Sequence, residues 1–369
     1  MSTRIFISAG EASGDAYGAA LAGELRSRRT NLTIEGLGGP KMRNAGVRLH
    51  ADSSTWGAIS IVQSLRLYPR LVAGYYRVKR QFGRGEPGLF IPIDFGYANV
   101  RFARHARRLG WKILYFVPPA SWRRDRQGKD VAELSDEIVT PFPWSAEIFT
   151  SMGASAHFFG HPIKSLRPPY ENPVRDAIAL LPGSRLSEIE LMLPVYAQAV
   201  RGLDGPFLIP VPAFQTGLAR AIWTRTGGDP AAIVDATAEG VAPSLARARA
   251  AIVCSGTATL EAALARTPHV VAYRLSPATV REAKLLRIKR PKFIALPNIV
   301  LDREIVPELI QDEASPEALR AWLDRLIADG EGQRTAFEEL DRLLGPPNAV
   351  ARTADLAVTM VDGERRTLA

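Results

Sequence analysis

The sequence contains a single cysteine, Cys254, so no disulfide can form within the chain, and its lone thiol suits a reducing compartment. Cys254 ends an apolar run, where it reads as a small buried residue rather than a nucleophile. Histidine is scarce as well. The five present are scattered and no Cys/His cluster has metal-ligand spacing, so no metal site is expected. No apolar run is long enough to span a bilayer, and Thr3 to Ser8 leads into a strand pattern without the layout of a secretory signal. The glycines after that strand miss the frame of the dinucleotide fingerprint, and no acidic ribose ligand follows a second strand. NAD is thereby set aside, and no cofactor is expected.

Acidic residues are missing from one long stretch. Between Asp52 and Glu86 there is none, yet Arg66, Arg70, Arg77, Lys79, Arg80 and Arg84 all occur. Leu65, Tyr68, Leu71, Val72, Tyr75, Tyr76, Val78 and Phe82 interleave with them at helical spacing, and Pro69 is expected to break or kink the helix near its start. A basic amphipathic segment with tyrosines fits an anionic membrane surface, with Leu71, Tyr75 and Phe82 inserting. A solvated helix whose long arginines cover part of the core fits the same residues. The formal net charge of +9 is partly explained here, and nucleic acid is not expected because no recognised binding motif accompanies the charge.

What is present is an ordinary folded composition, 46% hydrophobic and 23% charged, over a length of 369 residues that suits two domains. Strand-like runs alternate with helical patterns, which argues for parallel sheets wound with helices, an α/β fold. The first half offers strands at Arg4–Ser8, Thr33–Gly36, Leu89–Ile93, Lys112–Val117, Glu137–Thr140 and His157–Phe159. The second offers Ala177–Leu181, Phe207–Val211, Ala232–Val234, Ala250–Val253, His269–Tyr273 and Phe293–Leu296. The proline-rich stretch Pro162 to Pro173 is the best linker. Two Rossmann-like domains facing a central cleft are therefore expected, at 1–162 and 174–345, with a helix in 346–369 packing back on the first.

Two loops stand out. Leu180-Leu181-Pro182-Gly183-Ser184-Arg185 and Cys254-Ser255-Gly256-Thr257-Ala258-Thr259-Leu260-Glu261 each follow an apolar run, and the second opens a helical pattern. A small-residue turn at a helix start aims unpaired N–H groups at an anion, and the helix dipole adds to the attraction. Ser255, Thr257 and Thr259 offer hydroxyls, Glu261 a carboxylate for a ribose diol, and Arg185 a fixed charge for a diphosphate. This reads as a nucleotide-diphosphate cradle; a tight strand-to-helix turn is the alternative. A similar loop, Ala9-Gly10-Glu11-Ala12-Ser13-Gly14-Asp15, opens the chain and offers close backbone approach beside polar side chains, with Asp15 readable as an N-cap.

These loops belong to a longer series. Ser8 to Asp15, Gly36-Leu37-Gly38-Gly39-Pro40-Lys41-Met42, Phe159-Gly160-His161-Pro162, Leu181 to Arg185 with Glu188 and Glu190, Ser255 to Glu261, Tyr273-Arg274 and Leu296-Pro297-Asn298 occur in order. From about Arg4 to about Ala328 the chain resembles the lipid-A-disaccharide synthase family of GT-B glycosyltransferases. The resemblance implies transfer from UDP-2,3-diacylglucosamine to 2,3-diacylglucosamine 1-phosphate, giving a β-1,6 disaccharide and UDP without a metal. It implies work at the inner face of the cytoplasmic membrane, with the basic helix where the family carries a membrane-facing one, and members can form homodimers. Asp94 matches the family's catalytic aspartate and Asn298 an essential asparagine. Gly10, Glu11, Ser13, Gly14, Ser184, Arg185, Ser255, Gly256, Thr257, Thr259, Glu261 and Arg274 complete the candidate substrate-binding set. Read alone, Asp94 fits a turn and Asn298 an N-cap.

The chain departs from the family in its first half. A block usually reading Ile-Asp-Ala-Pro-Asp-Phe-Asn is here Ile93-Asp94-Phe95-Gly96-Tyr97-Ala98-Asn99, so Tyr97 replaces a second carboxylate. The family's Ser-Pro-Ser and Trp-Ala-Trp-Arg block is reduced to Pro118-Pro119-Ala120-Ser121-Trp122-Arg123-Arg124. The blocks assigned to the donor stay closer to pattern. A UDP-sugar paralogue with another acceptor, an epimerase or hydrolase, and a non-catalytic UDP-sugar-binding protein remain open alternatives.

Overall fold

A computed structural model describes residues 3–53, 61–166, 174–237, 239–285 and 291–363; the side chains of residues 61–70, 97, 283 and 284 lie outside that description. The chain forms two compact units, one drawn from residues up to Leu166 and again from Leu344 onward, the other from the stretch between. Each is built on one sheet whose strands pair in parallel. The first unit carries β1 (Thr3–Ala9), β2 (Leu32–Gly38), β3 (Arg48–Asp52), β4 (Leu89–Ile93), β5 (Lys112–Phe116), β6 (Glu137–Thr140) and β7 (Ala156–Phe158), in the order β3-β2-β1-β4-β5-β6-β7. The second carries β8 (Ala177–Leu181), β9 (Phe207–Val211), β10 (Ile233–Asp235), β11 (Ala248–Cys254), β12 (His269–Tyr273) and β13 (Glu308–Ile310), in the order β10-β9-β8-β11-β12-β13.

The reason lies in the apolar runs. β4 and β8 are buried at every position, as parallel strands covered by helices on both faces must be. On one face of the first sheet, Phe82 packs 4.8 Å from Phe6, 4.9 Å from Phe90 and 5.3 Å from Trp111, ring centroid to centroid. The Trp111 indole N–H is satisfied by the Phe82 carbonyl at 2.9 Å.

Strand order changes direction once in each sheet, between β1 and β4 and between β8 and β11. Connections leave such a switch point toward opposite faces, which opens a crevice at the strands' carboxyl ends where ligands bind. The loop at Gly10 follows β1, Asp94 follows β4, the loop at Pro182 follows β8 and Ser255 follows β11. Both switch points are thus flanked by the loops that stand out in the sequence.

Some sequence expectations fail for identifiable reasons. The expected strand Phe293–Leu296 is not one, because the Glu308 carboxylate takes the Ile294 and Ala295 N–H groups at 2.9 Å each and Leu296 starts the helix Leu296–Leu301. The strand on that edge is β13, three residues long and half-buried. β3 is missed as well: Arg-Leu-His-Ala-Asp has no apolar run, since an edge strand does not need one. The helix Ile61–Gln81 runs through Pro69 without the expected break. Of the expected linker, Pro162–Leu166 is a short 3-10 helix with Pro162 and Ile163 buried in the first unit, while residues 167–173 lie outside the described residues. Beside it the chain returns: the His161 N–H donates to the Leu344 carbonyl at 2.7 Å, and Gly160, at φ +101°, leaves room for the Pro346 carbonyl. The block Phe159-Gly160-His161-Pro162 therefore secures this junction. The last helix, Ala349–Asp362, packs on Ala12–Arg28, with Arg28 Nε 2.6 Å from Asp355.

Candidate functional site

After β4 the backbone does something uncommon. Asp94 and Phe95 sit at φ +45° and +51°, the left-handed region that side chains other than glycine rarely adopt. Each such residue costs about 1–3 kcal/mol and persists only where its surroundings fix it. Here they do. The Asn99 amide, fully buried, donates to the carbonyls of Ser8, Ile93 and Asp94 at 3.1, 3.1 and 2.9 Å, and its oxygen accepts from the Ser8 hydroxyl at 2.6 Å. The Tyr115 hydroxyl donates to the Asp94 carbonyl at 3.2 Å, and the Asp94 N–H donates to the Val117 carbonyl at 3.0 Å. At about 0.5–1.5 kcal/mol per hydrogen bond, this set is large enough to offset the strain. The result is a carboxylate held on a fixed elbow beside the first switch point.

Its protonation is tuned as well. Burial first, and then the nearby Glu11 carboxylate, raise the Asp94 pKa to about 6; a backbone hydrogen bond from Phe95 acts the other way. A carboxylate with that pKa is mostly ionised at neutral pH, yet is a far better proton acceptor than an ordinary aspartate. Strain with a perturbed pKa in a ligand-binding position is a signature of function.

The glycines of the first loop serve close packing. A Cβ on Gly10 would stand 2.1 Å from the Phe95 ring, so the bare α-carbon makes room for that ring. Gly14 is buried against Ala9 and Ile93, where it lets the helix Ala12–Arg28 sit close to the sheet. Asp15 caps a helix other than its own: its carboxylate accepts from Gly39, Lys41 and Met42 N–H groups at 2.7, 2.9 and 3.0 Å, at the start of Pro40–Asn44. Ser13 is half-buried, and Glu11 is exposed at the head of the loop, close enough to Asp94 to be felt by it.

At the second switch point the two cradle loops converge. The Cys254 thiol feels both Glu188 and Arg185, and burial, its largest influence, raises its pKa well above the usual thiol value, so it is an inert buried residue as expected. Glu188 organises the first loop: its carboxylate accepts from the Ser184 and Arg185 N–H groups at 3.1 and 3.2 Å and from the Arg185 guanidinium at 2.9 Å. Gly183, at φ +108°, is needed twice over, because a Cβ there would stand 2.3 Å from the Glu188 carboxylate. Ser184 is exposed and Arg185 half-buried. In the second loop Gly256 takes φ +145° and faces open space, while the half-buried Thr257 begins the helix Thr257–Leu264. The first turn of a helix leaves N–H groups without intrahelical partners, and these meet whatever fills that space.

Several expected ligand contacts are engaged elsewhere. Ser255 Oγ donates to the Ile294 carbonyl at 2.9 Å. Thr259 is fully buried; its hydroxyl donates to the Gly256 carbonyl at 2.8 Å and accepts from Leu296 N–H at 3.3 Å, so it braces the turn. Arg274 donates to the carbonyls of Gln311 and Ala314 at 3.2 and 2.8 Å and ties down the segment after β13. Asn298, fully buried, donates to the Val306 carbonyl and to Glu308 at 2.8 Å each, and accepts from Ile305 and Val306 N–H at 2.8 and 3.0 Å. With two donors and two acceptances used, its amide keeps no ordinary capacity for a diphosphate or sugar. In this structure Asn298 braces the segment between residues 298 and 308. Glu261 lies half-buried in the second turn of its helix.

Comparison with known proteins places this geometry. The family model for lipid-A-disaccharide synthetase matches residues 5–343. The lipid-A-disaccharide synthase of Trichlorobacter lovleyi is 32% identical over 380 residues, covering 97% of this chain and 98% of that protein. That of Geobacter sulfurreducens is 33% identical over 381 residues, covering 98% of each. The chain belongs to the lipid-A-disaccharide synthase family. It is a glycosyltransferase of lipid A disaccharide synthesis. Solved structures agree on the fold alone: MnaA of S. aureus, determined with UDP, superposes with a TM-score of 0.68 at 13% identity over 100% of this chain and 99% of that one. MurG of Acinetobacter baumannii gives 0.55 at 16% identity over 97% and 100%.

The two blocks that depart from the resembled pattern, Ile93–Asn99 and Pro118–Arg124, both lie in the first unit. Trp122 is 41% exposed, and the Arg124 guanidinium lies 3.9 Å above the Trp144 ring, which stacks on Phe142 at 4.7 Å. The side chain of Tyr97 lies outside those described. Among the described residues, no group of three His, Cys, Asp or Glu could hold a metal ion, and no helix is long and apolar enough to cross a membrane.

Proposed function

We propose that this glycosyltransferase joins UDP-2,3-diacylglucosamine to 2,3-diacylglucosamine 1-phosphate with inversion, and that Asp94 is its base. The observation that carries the reading is the strained Asp94 elbow, with its carboxyl raised to about 6. The acceptor's 6-hydroxyl oxygen forms a bond to the donor's anomeric carbon while the bond from that carbon to the diphosphate oxygen breaks. The hydroxyl proton passes to the Asp94 carboxylate, and UDP leaves with the bonding pair. A diphosphate leaving group needs positive charge and aligned donors, which the Arg185 guanidinium and the first turn of Thr257–Leu264 supply. Direct contact by the Asn298 amide is not required, since Asn298 acts through the backbone it braces.

The test is to incubate the purified protein with both acylated glucosamine substrates and analyse products. Disaccharide 1-phosphate and UDP should appear in equal amounts, and UDP release should require the acceptor. UDP without disaccharide would favour a hydrolase. A changed donor sugar would favour an epimerase, and no turnover with retained UDP binding would favour a binding protein.

Work at a membrane surface is part of the proposal. In the helix Ile61–Gln81 and just beyond it, Arg77, Arg80 and Arg84 are exposed, and so is Tyr76, at 54%. Two of the side chains expected to insert do not point outward: Phe82 is in the core, 1% exposed, and Tyr75 stacks on Phe102 at 4.7 Å. The side chains of Leu65, Arg66, Tyr68, Pro69 and Arg70 lie outside those described. Attraction by the cations, about 1 kcal/mol each, therefore dominates for the described part. Replacing Arg77, Lys79, Arg80 and Arg84 with glutamine should weaken sedimentation with anionic vesicles and flatten its salt dependence. Equal sedimentation of the two proteins across ionic strengths would remove this surface from the account.

A further inference from the structure

We infer that Glu308 is a positioning residue for the nucleotide diphosphate: it sets the backbone on which the Ser255–Thr259 turn is seated. The inference rests on the donor-site reading proposed above. Glu308 lies on the edge strand β13, in a segment that carries no ligand-binding pattern in the sequence, and nothing about its neighbours Pro307 and Leu309 marks it out.

Its carboxylate accepts three hydrogen bonds. Oε2 takes the Ile294 N–H at 2.9 Å, while Oε1 takes the Ala295 N–H at 2.9 Å and the Asn298 amide at 2.8 Å. Asn298 in turn accepts from Ile305 and Val306 N–H and donates to the Val306 carbonyl, so residues 294–295 and 305–306 are fastened to the same pair. The segment thus fixed is the one that meets the turn. Ile294 presents its carbonyl to Ser255 Oγ at 2.9 Å, and Leu296 presents its N–H to Thr259 Oγ1 at 3.3 Å, whose own hydroxyl holds the Gly256 carbonyl at 2.8 Å. A continuous hydrogen-bonded path therefore runs from Glu308 through residues 294–296 to the backbone of Gly256. That glycine faces open space at the switch point, where an anion would meet the helix N–H groups.

A carboxylate is required because three N–H donors converge on it and only an acceptor-only group satisfies them all. Glutamine has nearly the same shape, but its NH2 group would face either the Ile294 N–H or the pair formed by Ala295 and Asn298. One contact becomes donor against donor, residues 294–296 shift, and the Gly256 turn loses its seat. The pairing of roles matches the first cradle loop, where the buried Glu188 carboxylate fixes the Ser184 and Arg185 N–H groups in the same manner.

The test compares UDP binding by calorimetry in the full-length protein and in two variants, E308Q and L319A. Leu319 is fully buried in the core of the same unit, away from this path, so its truncation lowers stability without touching residues 294–296. E308Q should weaken UDP binding about tenfold or more and raise the donor KM by a similar factor, with the acceptor KM unchanged. L319A should lower Tm and leave UDP affinity near that of the unaltered protein at a temperature where both are folded. Should E308Q not fold, T259V removes the next link of the path with a smaller packing change and should weaken UDP binding several-fold. UDP affinity unchanged in folded E308Q, or in T259V where E308Q fails, would overturn the inference; so would an equal loss in L319A. Failure of the unaltered protein to bind UDP would instead overturn the donor-site reading itself.

Discussion

Asp94→Asn should lower turnover a hundredfold or more and at the same time make the protein more stable at neutral pH. The two effects share one cause. Asparagine keeps the size of the side chain and its hydrogen bonding but cannot accept the proton of the attacking hydroxyl, and general-base catalysis is worth about 10²–10⁴ in rate. The stability gain follows from linkage. The Asp94 carboxyl has its pKa raised from 3.8 to about 6 in the folded protein, chiefly by burial and next by Glu11. Below pH 4 it is protonated whether folded or not, so it costs nothing. Between pH 4 and 6 the unfolded chain releases the proton while the folded one retains it, so stability falls as pH rises, and above 6 the full cost stands. At 1.36 kcal/mol per pKa unit, and discounting for partial exposure, that cost is about 1–3 kcal/mol. Thermal unfolding should therefore show Asp94→Asn above the unaltered protein at pH 7–8, with the difference fading toward pH 4. UDP affinity should be unchanged. A variant that keeps most of its turnover, or that loses stability at pH 7.5, would make Asp94 a structural residue.

The second large effect is expected at Arg185. Arg185→Ala should weaken UDP binding by about 1.5–3 kcal/mol, the usual range for a hydrogen bond to a charged group, or roughly 10- to 150-fold in Kd. Glu188 sharpens this expectation. In the structure the Arg185 guanidinium donates to Glu188 at 2.9 Å, and the same carboxylate holds the loop's backbone. The guanidinium is thereby already oriented at the cradle, and a diphosphate has little side-chain entropy to overcome. Removing the arginine leaves Glu188, 5% exposed, with its charge less compensated beside the place where an anion binds, which adds repulsion to the lost contact. Calorimetric titration with UDP gives the number. An affinity within twofold of the unaltered protein would take Arg185 out of the donor site.

The sequence makes the architecture legible because parallel strands announce themselves. Runs such as Leu89–Ile93 and Ala177–Leu181 must be apolar on both faces, and their alternation with helical patterns leaves little choice of fold. The edges are less legible: β3 and β13 are short and half-exposed, so Arg48–Asp52 carries no apolar signal and Glu308–Ile310 too little of one. The segment at Phe293–Leu296 looks like a strand because its side chains suit one, while its hydrogen bonds go to a carboxylate distant in sequence, which no local pattern reveals.

The candidate site divides along the same line. Residues at the carboxyl ends of switch-point strands, Asp94, Ser184, Arg185 and Gly256, stand where a ligand site belongs. Thr259, Arg274 and Asn298 belong to the same series of motifs yet point into hydrogen-bond networks with neighbouring segments. A motif residue that builds the cradle and one that touches the ligand look alike in sequence, because both depend on the same loop. Three features emerge only in three dimensions: the left-handed backbone at Asp94, its support by Asn99 and Tyr115, and the carboxylate pins Glu188 and Glu308. Asn99 is visible in the sequence only as the end of a family block, and no spacing connects it with Ser8.

The central claim is that one strained carboxylate takes the proton in glycosyl transfer, and the pH dependence of kcat/KM for the acceptor tests it most directly. A base must be ionised, so kcat/KM should climb about tenfold per pH unit on the acid side, bend near pH 6 and level off above it. In Asp94→Asn the residual rate should lose that bend. A bend near pH 4, or the same bend persisting in Asp94→Asn, would contradict the account.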